Sequence, residues 1–157
     1  MTSPVSPLGI DGKGRQVTRV MREHILRLYH MFNRNTGGDL IAGIVCATII
    51  SANLSHMQTG AEIDDAFGNS LPPDEMRRPI SIQALARATL LPRETVRRTV
   101  VRLIEAGVCV RTPKGVIVPT HIIAAMDAVS TVEVEQEFRR LLVNLRRIGV
   151  DLDAASH

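Results

Sequence analysis

The sequence predicts a mainly α-helical protein that carries one small β-hairpin. Three observations support this fold class. Apolar residues recur at helical spacing before residue 57 and after residue 120. Two short runs rich in β-branched residues, 108–111 and 116–118, flank the turn-forming residues 112–115. The chain has 157 residues, 45% of them hydrophobic, which suffices for a compact domain with a substantial core.

The N-terminal part divides into a tail and two helices. Residues 1–16 contain two Ser-Pro steps and three glycines, and we expect a flexible tail. From Val17 to Phe32 the apolar residues form a helical stripe. Asp39 follows two glycines and is a suitable cap for a second helix, which extends to about Met57. We interpret residues 17–57 as helices for the core and for dimerisation.

The second helix is apolar on nearly every side, so neighbouring helices or a second copy of the chain should cover it. Its segment without formal charge, 40–56, is shorter than the ~20 residues that a membrane-spanning helix needs. We therefore expect a buried helix in a cytoplasmic protein that does not bind membranes.

The regions on either side of residues 79–119 are less specific. Residues 58–78 are polar and are predicted to be a connecting loop, either mobile or with a short helical turn. Residues 120–157 are predicted to be a C-terminal helical segment for dimerisation. It consists of two helices, 120–129 and 132–148, or of one helix that breaks near Ser130 and Thr131. An apolar stripe runs through its second part, comprising Val134, Phe138, Leu141, Leu142, Leu145 and Ile148.

Residues 79–119 carry the most specific pattern. Ser81 is placed to cap a helix that extends from Ile82 to about Ala88. After a Leu-Pro turn, a second helix (92–106) begins at Pro92 and stops at a glycine. The hairpin 108–118 follows. This order of helix, turn, helix and hairpin predicts a winged helix-turn-helix, in which the second helix enters the major groove of duplex DNA.

Positive charge is concentrated in this part of the chain. From Arg77 to Pro119 there are nine Lys or Arg and two Glu, a net charge of +7, whereas the whole chain carries +3. All but two of the basic residues of the chain are Arg, whose planar guanidinium suits guanine and phosphate. Such clustering is typical of a surface that meets phosphate.

The second helix is predicted to bury Val96, Val100, Leu103 and Ile104, with Thr95 and Thr99 at the margins of its open face. That open face and the hairpin supply the candidate DNA-binding residues. Base edges are reached from the N-terminal turns of a helix in the major groove, and a glutamate there can accept from cytosine. The candidate base-contacting residues are Arg93, Glu94, Thr95 and Arg97. Phosphate contacts fix affinity and register without reading sequence. The candidate phosphate-contacting residues are Arg98, Arg102, Arg111 and Lys114.

The string LPRETVRRTVVRLIEAGVCVR (residues 91–111) resembles the recognition helix and first wing strand of the bacterial GntR, IclR and MarR regulators. With helices before and after the winged segment, the layout is most similar to the MarR group, whose terminal helices form a dimer. The resemblance implies a homodimeric regulator of transcription that binds specific duplex sequences. It also implies an unidentified small-molecule effector in a pocket that helix 40–57 and the terminal helices would enclose.

One alternative remains open, because many winged helices bind protein. The chain would then be a protein–protein interaction module without specific DNA binding, whose arginines meet an acidic surface. An enzyme is not expected, since the sequence has no Gly-rich phosphate loop, paired catalytic carboxylates or nucleophile constellation. No cofactor or metal is expected either. Cys46 and Cys109 lie in apolar runs and are predicted to be inert, with a redox role for Cys46 as the alternative.

Overall fold

The computed structural model describes residues 10, 12–57 and 71–151. It confirms a mainly α-helical fold with a small two-stranded antiparallel sheet in the described residues. The elements are α1 (Gly14–Asn35), α2 (Leu40–Leu54), α3 (Ile82–Thr89), α4 (Arg93–Glu105), β1 (Val110–Thr112), β2 (Gly115–Ile117) and α5 (Thr120–Arg147), with 3₁₀ turns at Ser55–Met57 and Asp74–Met76.

The chain divides into two compact units. One is Thr36–Val129, and the other combines Met1–Asn35 with Ser130–His157. The sequence analysis grouped α1 and α2 together, but the structure assigns them to different units. It also joins the two predicted C-terminal helices into one unbroken helix, α5.

Some predicted boundaries change. Helix α1 begins at Gly14, so residues 14–16 of the predicted tail are helical. The rest of that tail, apart from residues 10, 12 and 13, lies outside the described residues, as does 58–70 of the predicted connecting loop. The described end of that loop contains the turn Asp74–Met76, in agreement with the alternative that included a short helical turn.

In the unit Thr36–Val129, α2 packs against α3, α4 and β2. The fully buried side chains of its core come from all of these elements: Val45, Ile49, Leu85, Val96, Val100, Val116 and Val118. Both predicted helix caps are confirmed. The Asp39 carboxylate accepts from the Ala42 N–H at 2.9 Å, and the Ser81 hydroxyl accepts from the Ala84 N–H at 3.2 Å.

A buried amide on α2 holds the hairpin in place. Asn53 is completely buried, and its Nδ2 donates to the carbonyls of Arg78 at 2.7 Å and Val116 at 3.2 Å. Its Oδ1 accepts from the Val118 N–H at 3.1 Å. The side chain thus bonds to three backbone groups of the segments on either side of α3 and α4, among them the buried N–H of Val118.

Helix α2 is less covered than its composition predicts. By length and composition alone the apolar stretch Leu40–Met57 could cross a membrane, so its length does not exclude a span as the sequence analysis inferred. In the structure 33% of the stretch is buried within the protein. Ile41 and Ile44 lie on its exposed side. The hydrophobic side chains of Val45 and Ile49 are nevertheless completely buried in the core, so one face of the helix has the predicted core role.

A strained residue links α3 to α4. Leu90 has φ 57° and ψ 23°, the left-handed conformation that disfavours side chains with a Cβ, and it is 90% exposed.

We expect Leu90→Gly to raise the free energy of unfolding by about 0.5–1 kcal/mol, because relief of strain exceeds the added chain entropy. Urea unfolding measures this. Gly107→Ala is the matched control with opposite sign, since Gly107 has φ 72°. A loss of stability in Leu90→Gly would contradict the strain.

In the second unit, α1 and the C-terminal part of α5 are antiparallel. Arg27 Nε donates to Glu137 Oε2 at 2.9 Å, and Arg34 Nη2 to Glu133 Oε2 at 2.9 Å, so residue numbers rise along one helix and fall along the other. Lys13 Nζ donates to the carbonyl of Gly149 at 2.6 Å, just beyond the end of α5. Two residues of the predicted α5 stripe, Val134 and Phe138, are exposed, and the other four are half-buried.

Candidate nucleic-acid interface

Helix α4 has a buried face and a basic face. Val96, Val100 and Leu103 are buried, as their spacing predicted, whereas the side chains of Arg93, Arg97, Arg98 and Arg102 are exposed. The sequence analysis placed Thr99 at the margin of the open face. The structure corrects this, because Thr99 is 1% exposed. Thr95, the threonine predicted to contact bases, is half-buried.

The first turns of the basic face contain an ion-pair cluster around Glu94. Arg97 donates to this carboxylate twice, from Nε to Oε2 at 2.8 Å and from Nη2 to Oε1 at 2.7 Å. Arg98 Nε donates to Oε1 at 3.1 Å. These hydrogen bonds lower the pKa of Glu94 to about 2, so the carboxylate is ionised at neutral pH. Glu94, predicted as a cytosine acceptor, is thus engaged by two of the predicted arginines.

The last predicted arginine of α4 contacts the start of α2. Arg102 Nη1 donates to Asp39 Oδ2 at 2.8 Å, while Asp39 Oδ1 caps α2 through the Ala42 N–H. The Ala42 hydrogen bond and the Arg102 pair together lower the pKa of Asp39. A surface cleft of about 550 Å³ lies here, between the start of α2 and the basic face. Its lining includes Asp39, Ile41, Thr95, Arg97, Arg98 and Arg102.

The hairpin carries the two remaining predicted cations. Arg111 lies in β1 and Lys114 lies in the tight turn before β2, and both are exposed. The predicted runs were 108–111 and 116–118, whereas pairing covers Val110–Thr112 and Gly115–Ile117, so the first strand is one residue shorter and the second is shifted by one residue. A Cβ on Gly115 would collide with the carbonyl of Ile80, which pairs with the neighbouring Val116. Glycine is therefore required where the hairpin approaches this segment.

The predicted cations differ in how far they are already neutralised. Arg97, Arg98 and Arg102 have carboxylate partners within the unit. Across the part of the chain that the structure describes, Arg93 and Lys114 form no ion pair. Exposed pairs contribute only about 0–1 kcal/mol each, so the paired arginines remain available to exchange a carboxylate for a phosphate or a base.

One cation in the basic segment does not belong to its surface. The Arg77 side chain is completely buried, and Nη2 donates to the Thr120 hydroxyl at 3.0 Å and to the Pro72 carbonyl at 3.1 Å. Asp74 pairs with Arg77 and accepts from the Thr120 N–H at 2.6 Å, which caps the start of α5. The sequence analysis counted Arg77 in the electrostatic surface, and the structure removes it.

The cysteines are buried, as predicted. Burial raises the pKa of Cys46 to about 11 and that of Cys109 to about 12, so both thiols are protonated at neutral pH. Since the thiolate is the reactive form, the redox alternative for Cys46 has no support from its surroundings. Among the described residues, no group of three or more His, Cys, Asp or Glu is placed to hold a metal ion.

Three ion pairs of the site were missed by sequence reasoning. The Glu94–Arg97 and Glu94–Arg98 pairs are three and four residues apart, a spacing at which helical neighbours meet, so the signal was present. The Asp39–Arg102 pair joins positions 63 residues apart and has no local signal.

No known family model, curated protein or solved structure matches the chain.

Proposed function

We propose that this chain is a winged helix-turn-helix protein that binds specific duplex DNA as a homodimer and regulates transcription in the bacterial cytoplasm. Helix α4 is the recognition helix, and the β1–β2 hairpin is the wing. The observation that carries the proposal is the basic face of α4, which holds four exposed arginines on the side opposite the core. A helix of this kind fits the major groove, and the groove presents acceptors that suit arginine.

The two ends of the surface have different roles in this proposal. Arg93 and Arg97 lie in the first turns of α4, where a recognition helix reaches base edges. Arg102, Arg111 and Lys114 lie further along α4 or in the hairpin and bind phosphates. Thr95 is half-buried, so its contact with DNA is confined to the part of the side chain that faces the cleft.

The homodimer is proposed from the apolar stripes of α1 and α5. On α1, Met21, Ile25 and Tyr29 follow one another at intervals of four residues and are 37%, 59% and 44% exposed. On α5, Val134 and Phe138 have the same interval and are 47% and 58% exposed. Large apolar side chains at helical spacing on both helices are typical of a surface that a second copy covers.

The second candidate function is an interaction module for an acidic protein. Arg97 already holds a carboxylate through two hydrogen bonds, the geometry with which it would bind acidic side chains of a partner. Recovery of one stoichiometric protein partner, with no retention of duplex DNA, would favour it.

A small-molecule effector also remains a proposal. The cleft beside α4 lies within the DNA-binding surface itself, so a ligand there would compete with DNA.

Substitutions on α4 and on the hairpin test which residues contact base edges and which contact phosphates. We expect Arg97→Ala to weaken binding to a duplex enriched by selection from random-sequence DNA by about 1–3 kcal/mol, and to relax the preference at one base position. Lys114→Ala should weaken binding to all duplexes alike and reduce the salt slope by about one. Fluorescence anisotropy over a salt series measures both. Arg147→Ala is the matched control, because Arg147 is exposed and lies about 180° around the axis of α5 from Phe138. Identical behaviour of all three variants would contradict the proposal.

A further inference from the structure

Glu94 lies in the first turns of the basic face of α4, and its surroundings indicate a role other than accepting from a base. Both of its carboxylate oxygens accept hydrogen bonds from arginines of the same helix. We propose that Glu94 is a specificity-determining residue of the DNA-binding surface, because it orients Arg97 for guanine and lowers the affinity of the surface for non-specific duplexes. The inference rests on the proposed function and concerns the same site.

The guanidinium of Arg97 is held along one edge only. Arginine has five N–H donors, which point out from three edges of a planar group. Glu94 occupies the edge formed by Nε and Nη2 of Arg97, at 2.8 and 2.7 Å. The edge formed by Nη1 and Nη2 stays open. Two parallel donors on this edge match O6 and N7 of guanine, so the pair fixes the plane of the group and leaves its reading edge available.

Arg98 is held by one hydrogen bond to Glu94, whereas Arg97 is held by two. A single hydrogen bond joins its Nε to Glu94 Oε1 at 3.1 Å, and both of its terminal nitrogens remain open toward solvent. An end-on cation of this kind suits a phosphate oxygen, which accepts from many directions. The Glu94 carboxylate thus positions Arg97, a candidate base contact, and Arg98, a candidate phosphate contact.

Glu94 also lowers the positive charge of the surface around Arg97 and Arg98. Glu94 reduces the formal charge of the three-residue cluster to a single positive charge. Non-specific binding depends almost entirely on the number of phosphates that the protein neutralises. A carboxylate here therefore repels every duplex alike, whereas the orientation of Arg97 favours only a duplex that places guanine opposite it. The two effects together raise the ratio of specific to non-specific affinity.

Glu94→Gln, with Glu105→Gln as its matched control, tests the proposal. Both residues are exposed and lie on α4, and within the described residues Glu105 has no ion-pair partner. In Glu94→Gln we expect affinity for random duplex to rise about threefold to tenfold at low salt. The ratio of affinity for the enriched duplex to that for random duplex should fall about tenfold. Glu105→Gln should leave this ratio unchanged. Circular dichroism verifies that both variants are folded.

A base analogue separates orientation from charge. Replacing the guanine opposite Arg97 by 7-deazaguanine removes the N7 acceptor, and the parent chain should lose about tenfold in affinity. Glu94→Gln should lose less, because its Arg97 is no longer held for that contact. Equal losses in the parent and in Glu94→Gln, or equal ratios in the two glutamine variants, would overturn the inference while leaving the proposed function intact. A parent chain that prefers no duplex over random DNA would overturn the proposed function itself.

Discussion

Asn53→Ala is expected to lower the free energy of unfolding by about 3 kcal/mol. The amide is completely buried and bonds to the backbone of residues 78, 116 and 118. Alanine leaves the buried Val118 N–H without its partner, at a cost of about 1–3 kcal/mol, removes two hydrogen bonds to the carbonyls of Arg78 and Val116, and adds a cavity. Since small domains are stable by only about 5–15 kcal/mol, the loss is a large fraction of the total.

Urea unfolding followed by circular dichroism measures this effect. Gln83→Ala, an exposed polar residue in α3, is the matched control and should change stability by less than about 0.5 kcal/mol. The hairpin should also loosen, because Asn53 is the side chain that connects its second strand to α2. If Asn53→Ala unfolded at the urea concentration of the parent, the amide would not have the structural role derived from its contacts.

Phe138→Lys is expected to convert the proposed homodimer into monomers and to weaken binding to a duplex with two half-sites by about 100-fold. Phe138 is 58% exposed in the single chain, so the substitution costs little in the isolated protomer. In the proposed dimer it would place a charge in an apolar interface, where burial without a partner is strongly unfavourable. Two linked recognition helices bind far more tightly than one, which explains the size of the effect on DNA.

Mass in solution and anisotropy with the same duplex measure the two parts of this prediction. Val143→Lys is the matched control, because Val143 is 47% exposed on the same helix but lies about 140° around its axis from Phe138. It should remain dimeric. A Phe138→Lys chain that stays dimeric with unchanged DNA affinity would exclude this stripe from the interface.

The locally determined features were predictable from the sequence. Caps at Asp39 and Ser81, and the tight turn before Gly115, depend on residues a few positions apart, and each was predicted. The buried face of α4 follows from helical periodicity in the same way. Thr99 was misplaced because a residue at the edge of a helical stripe is buried or exposed according to the neighbour that packs there.

The features that the sequence did not predict depend on tertiary contacts. Asn53 reads as one more polar residue at the end of an apolar helix, yet its partners lie 25 and more residues away. Arg77 reads as surface charge, but contacts with Pro72, Asp74 and Thr120 bury it. Composition counts charges and cannot determine which of them face solvent. The exposed arginines of α4 therefore contribute to the positive surface, whereas Arg77 is buried and does not.

The central claim is that the basic face of α4 reads duplex DNA. Selection of the full chain against random-sequence duplex DNA at moderate salt tests it most directly. We predict enrichment of a palindromic motif whose half-sites lie about one helical turn apart, with affinity that falls steeply as salt rises. A pool that shows no enriched sequence after selection, together with retention that does not respond to salt, would contradict it.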